Sequence, residues 1–220
     1  MIAGTHLITQ PHRGRSLRDL KVVGRREHGN VMRNYCEDMK VGDSKMIDRT
    51  RYPIGIFEPI PVSSIEDRDI LINQVTLVVP SLRKLISHLT AEQLQTPYRV
   101  GGWSIRQIIH HMADNDMNAY LRFKRALTET EPLATSYRED LWGSLHDYFE
   151  TDIETSLLLL ESLHKRFYIL LYKLNSEQFS KTLRTQALGL INLDTALQRF
   201  IWHNHHHRSQ IVSLINREAW

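Results

Sequence analysis

The spacing of apolar residues from residue 63 onward constrains the fold most. In SSIEDRDILINQVTLVVPSLRKLISHL (63–89), Ile70, Leu71, Val75, Val78, Val79, Leu82, Leu85, Ile86 and Leu89 recur at helical intervals. A serine cap with acids in the first turn marks the start, and Pro80 is expected to kink the segment. A second helix opens at Ser104, where Ser104-x-x-Gln107 forms a capping box, and runs to about Leu127. A third opens at Thr151-x-x-Glu154 and continues through LLLLESLHKRFYILLYKL to Leu174. A fourth runs from about Asn192 to about Arg217. Strand-type alternation is nearly absent. Four amphipathic helices bury their apolar faces most simply against one another, so the expected fold is all-α, an up-and-down four-helix bundle.

Two short stretches echo each other. HLTAEQLQTPYR (88–99) follows the first long helix and KLNSEQFSKTLR (173–184) follows the third. Each reads as a capped turn, with Thr90 and Ser176 as caps, that leads to a histidine-bearing helix. The bundle would then be two related helix pairs.

Residues 1–50 show neither period. Glycines at 4, 14, 24, 29 and 42 interrupt them, and the expectation is a basic, poorly ordered extension. An alternative start at Met46 would remove most of it. The folded domain is then 51–220. The 1–50 stretch holds ten Lys/Arg against six acids, while the remaining residues hold 18 against 19. A nearly neutral body gives no basic patch for nucleic acid. No apolar run reaches the roughly 18–20 residues that span a membrane. Cys36 is the sole cysteine of the chain, which excludes an intrachain disulfide and fits a reducing, cytoplasmic setting.

The chemistry-bearing feature is IWHNHHHRSQ (201–210). Among His203, His205, His206 and His207, only 203 and 207 stand four apart, the spacing that shares a helix face. Measured from Leu193 on the core stripe, His207 lies about 40° away and His203 about 80°, on the same side. His205 and His206 are expected to face outward. Paired imidazoles at this spacing suit one metal ion, which needs a third protein ligand. Asn204 stands where an HEXXH motif would carry its glutamate, so the helix-borne general base is missing. The second helix offers His110 and His111, and periodicity does not choose between them.

RYPIG (51–55), TPYRVGGWSIRQIIHHMAD (96–114), NAYLRFKRALTE (118–129), LLESLHKRF (159–167) and WHNHHHRSQI (202–211), in this order and spacing, resemble the YfiT branch of the DinB-like superfamily. The resemblance implies a homodimeric four-helix bundle. Each chain would hold one divalent ion, zinc or nickel, through His111, His203 and His207. It implies a metal-dependent hydrolase acting on a small molecule, or, as in some relatives, an S-transferase of low-molecular-weight thiols such as bacillithiol. A metal-binding stress protein without catalysis is the third class. Where close relatives often read ADSH, this chain has ADND, with Asp116 in place of a histidine.

Three protein nitrogens leave a fourth coordination position for water, the layout of catalytic rather than structural zinc. Asp114 and Gln210 are the nearest polar candidates for acid–base help, and each could instead orient a ligand imidazole. Trp103, Trp142, Trp202 and Tyr120 read as core or rim, and His146 and His164 as ordinary surface or core histidines.

Overall fold

The computed structural model describes residues 47–61 and 64–220. The expected extension lies outside these residues except for 47–50, as does the alternative start at Met46. The order is α1 (Ile65–Val75), α2 (Val78–Ile86), α3 (Ala91–Leu94), α4 (Ile105–Thr128), α5 (Glu139–Trp142), α6 (Asp147–Glu150), α7 (Ile153–Lys173), α8 (Ser176–Phe179), β1 (Thr182–Thr185), β2 (Gly189–Asn192) and α9 (Leu193–Glu218).

The four-helix bundle is present, with α1 and α2 together as its first member. α1 and α4 are each flanked by α7 and α9. The expected kink is a break at Thr76 and Leu77, and Pro80 falls in the first turn of α2, where its missing N–H costs nothing. Ser64 caps α1 by accepting the Asp67 N–H (3.0 Å). The third long helix is capped by Asp152, which accepts the Glu154 N–H (2.8 Å); the expected Thr151 cap is displaced by one residue. Asn175, rather than Ser176, closes the capping box of α8 with Gln178. The antiparallel hairpin β1–β2 is an addition to the all-helical expectation, with Leu183 opposite Ile191. Its strands are four residues each, too short to show alternation. Among the described residues no helix is long and apolar enough to cross a membrane.

The core is split into two apolar clusters. One joins α1, α4, α7 and the start of α9 around Phe123, Phe167 and Phe200, whose rings meet edge to face at 4.9 and 5.1 Å. The other joins α2, the first half of α4, the start of α7 and the end of α9 around Ile108, Met112, Leu160 and Leu214. Between them, at the level where α1 gives way to α2, runs a buried polar layer. His164 Nε2 meets Asp116 Oδ2 at 2.7 Å, and Asn204 donates to Asp116 Oδ1 at 3.1 Å. His203 and His207 occupy the same layer on α9. Buried polar groups persist only where they are paired, and this layer pairs most of its own.

Candidate metal centre

Two capped helices aim the imidazoles. The Ser104 hydroxyl accepts the Gln107 N–H (3.2 Å) while Gln107 Oε1 accepts the Ser104 N–H (2.9 Å), the expected capping box. Just before it, the Tyr98–Trp103 turn closes through the Tyr98 N–H and the Trp103 carbonyl at 2.9 Å. Gly101 sits at φ +66°, and a Cβ on Gly102 would lie 2.7–2.8 Å from the side chains of Arg99 and Tyr98. Both glycines of the VGGW stretch are therefore required by the turn. The turn delivers Trp103 onto His111, ring centroids 4.4 Å apart. On the other side, Asn192 caps α9 by accepting the Thr195 N–H (2.9 Å).

His111, His203 and His207 converge. His203 Nε2 lies 3.2 Å from His111 Nε2 and 3.2 Å from His207 Nε2. All three side chains are buried, and their ligand atoms fall within 4.8 Å of one another. Tetrahedral bonds of about 2.0–2.1 Å to one ion would put such nitrogens roughly 3.3 Å apart, so the spacing fits a single metal. Burial holds His111 down at about 3. Burial, then the neighbouring imidazoles, holds His203 and His207 well below the usual value. Three neutral rings facing one another cannot fill all their lone pairs with each other's protons, and a cation resolves that mismatch.

The outer nitrogens differ in support. His207 Nδ1 donates to Gln210 Oε1 (2.9 Å), which leaves its Nε2 lone pair free. The same Gln210 amide donates to the Arg51 carbonyl (2.9 Å) and to His206 Nε2 (2.9 Å), so all its groups are used. His203 Nδ1 lies 3.0 Å from the Asn115 amide nitrogen. To offer Nε2 to a metal, His203 must hold its proton on Nδ1, which calls for the Asn115 oxygen there, a half-turn of that amide. Among the described residues His111 Nδ1, which is buried, finds no hydrogen-bond partner.

The cavity around these nitrogens measures about 330 Å³ and is bordered by Tyr52, Trp103, Glu139, Arg199, Trp202 and His206, among others. Residues 51–61 close one side of it. Gln198 pairs with both backbone groups of Ile60 (2.9 and 2.8 Å), as a strand neighbour would. Tyr52 packs on His206 at 5.6 Å and Phe57 on Trp202 at 5.9 Å. This strap overturns the outward placement of His206, which is buried and stacks on Trp202 at 4.8 Å. His205 is half-buried and bonded to Gln74 (2.8 Å) rather than solvated.

Gln210 borders the cavity and accepts from His207 Nδ1. Asp114 is not among the residues bordering the cavity; its carboxylate accepts the Tyr148 hydroxyl at 2.6 Å, and burial raises its pKa. His110 turns away, its Nδ1 2.8 Å from Ser156 Oγ, whereas His111 faces His203. Asp116 stays in the core, and Asn115 links it at 3.3 Å to the His203 contact. His146 is exposed beside Glu150, and His164 is buried on Asp116, as expected of surface and core histidines. Trp103 and Trp202 border the cavity directly. Asn115 was missed although it stands four residues after His111, on the same helix face. Arg199, Glu139 and the strap carried no local signal.

Three comparisons place the chain among known proteins. The profile of the DinB superfamily matches residues 75–211. A protein of Bacillus cereus (strain 03BB102), named "Putative metal-dependent hydrolase", is 42% identical over 170 residues, covering 77% of this chain and 98% of its own. A like-named protein of Bacillus thuringiensis subsp. konkukian (strain 97-27) matches with the same identity and coverage. Among solved structures, YfiT from Bacillus subtilis superposes with a TM-score of 0.76 at 39% identity, over 78% of this chain and 99% of its own. It is described as "a probable metal-dependent hydrolase with an unusual four-helix bundle topology".

Proposed function

The chain belongs to the DinB superfamily, and from that premise we propose that it is a metal-dependent hydrolase of a small molecule. It holds one divalent ion, zinc or nickel, through His111, His203 and His207. The observation that carries this is the 3.2 Å approach of His203 Nε2 to the other two Nε2 atoms, in a buried pocket that holds the rings neutral. Such an ion supplies Lewis acidity and a hydroxide nucleophile at neutral pH.

The chain's own residues do the rest. Gln210 keeps the His207 proton on Nδ1, and Asn115 does the same for His203 once its oxygen faces the ring. Trp103 packs against His111 and shields it from water. Asp140 is engaged by Arg138 (2.9 Å), which leaves Glu139 as the rim carboxylate to accept a proton. Arg51, Arg99 and Arg199 also border the cavity, and these cations suit a thiolate as well. This supports S-transfer as the second reading.

The experiment is elemental analysis of untagged protein, followed by parallel assays of ester and amide hydrolysis and of thiol conjugation. The wild type is expected to carry about one divalent ion per chain. Its hydrolytic activity should vanish on chelation and return with the metal. His203→Ala retaining the ion would refute the assignment. Conjugation without hydrolysis would select the second reading.

A further inference from the structure

Behind the wall formed by Arg199 and His203 lies a second cavity, of about 260 Å³. It is enclosed by α4, the loop before α5, the hairpin and the first turns of α9. Its apolar lining includes Phe123, Ile191 and Phe200. The polar part is less ordinary. Arg122 and Arg199 both border it, and burial lowers both guanidinium pKa values. For Arg199 the charge of Glu139 opposes that lowering, and like-charge repulsion from Arg122 adds to it.

Neither has an acidic partner at ion-pair distance among the described residues. Arg122 donates to the Thr135 carbonyl (2.7 Å), and its Nε is buried without a partner. Arg199 lies over Trp202 at 4.5 Å and over Phe57 at 5.4 Å. Glu139 favours the charged Arg199 from nearby without pairing with it. The hydroxyl of Tyr137, another lining residue, is also buried and without a hydrogen-bond partner among the described residues. Two desolvated cations border one cavity with a single carboxylate, Glu139, in its lining, and a second anion would offset the remaining cost. Guanidinium forks match carboxylate and phosphate oxygens, while the neighbouring aromatic and aliphatic surface matches hydrocarbon.

We propose that this second cavity binds a small organic anion, with its acid group between Arg122 and Arg199 and its hydrocarbon part over Phe123, Ile191 and Phe200. Because Arg199 and His203 border both cavities, the bound molecule lies against the far side of the wall that carries His203. That it is the hydrolysed substrate rests on the preceding proposal. The binding itself does not.

The test titrates the full chain, stripped of metal and again loaded with zinc, with octanoate, octyl phosphate, 1-octanol and octylamine by calorimetry. Both anions should bind at one site in either state, and the alcohol and amine should bind at least roughly tenfold more weakly. Whichever anion binds tighter names the acid group. Arg122→Leu should weaken octanoate by roughly 10–100-fold without changing octanol. Ala196→Leu, which fills the cavity without touching a charge, should weaken both.

Equal binding of octanol and octanoate, or unchanged octanoate affinity in Arg122→Leu, would overturn the proposal. Octanoate binding that needs zinc and disappears in His203→Ala while surviving in Arg122→Leu would assign the anion to the metal and overturn it too. Octanoate binding by a protein that hydrolyses nothing would uphold this site while refuting the preceding reading.

Discussion

The two arms that carry imidazoles to the metal centre begin alike and finish differently. Each opens with a one-turn helix closed by a capping box, Thr90 with Gln93 in one and Asn175 with Gln178 in the other. Each then passes through a connector into a capped long helix. The first connector is the tight Tyr98–Trp103 turn, with Pro97 bridged to Ser104; the second is the full β1–β2 hairpin. On α4, His111 is held by packing against Trp103, and its outer nitrogen has no partner among the described residues. On α9, His207 is held by a hydrogen bond to a Gln210 amide that is itself fully engaged. A ligand's direction can thus be set by shape or by hydrogen bonding, and the two kinds of support should fail differently.

The largest effect tests whether the arms are equal partners. His111→Ala and His207→Ala should each abolish stoichiometric metal loading, read by elemental analysis; retention by either would make one arm dispensable. Next comes the polar layer that α4 shares with α7 and α9. Asp116→Ala strands His164 and Asn204 in the core and should cost about 3–5 kcal/mol, measured by urea unfolding of metal-free protein. A loss under 1 kcal/mol, on the order of a surface change, would show the layer to be relaxed.

Smaller again, Gln210→Leu should weaken metal binding by roughly 10–100-fold in chelator competition. Trp103→Leu, which keeps an apolar wall beside His111, should weaken it less. The reverse order would mean that packing, not the hydrogen bond, directs the site. Smallest are the caps at the start of the arms. Thr90→Ala and Asn175→Ala should each cost about 1 kcal/mol or less, with metal affinity unchanged.

The helices were legible because their signals are local. Ser104 and Gln107, Asn192, and the apolar spacing along α4 and α9 each sit within a few residues of what they specify. The His203/His207 pair was legible for the same reason, since four-residue spacing fixes a shared face. His111 was not separable from His110 by periodicity; Ser156, 46 residues away on α7, takes His110 aside. The outward placement of His206 failed because the strap at residues 51–61 covers that side of α9, and nothing in the strap's own sequence announces a pairing 138 residues distant. The bond from Tyr148 to Asp114 had no local signal, because Tyr148 comes from another helix. The hairpin escaped notice because four-residue strands are shorter than the window in which a period can be seen.

The division of the core has a consequence for how the protein comes into being. His111 precedes His203 by 92 residues, so neither half of the chain can capture an ion unaided. The apolar clusters above and below the histidines are complete in themselves and need no ion to collapse. Metal-free protein is therefore expected to unfold cooperatively, and added zinc to raise its unfolding midpoint.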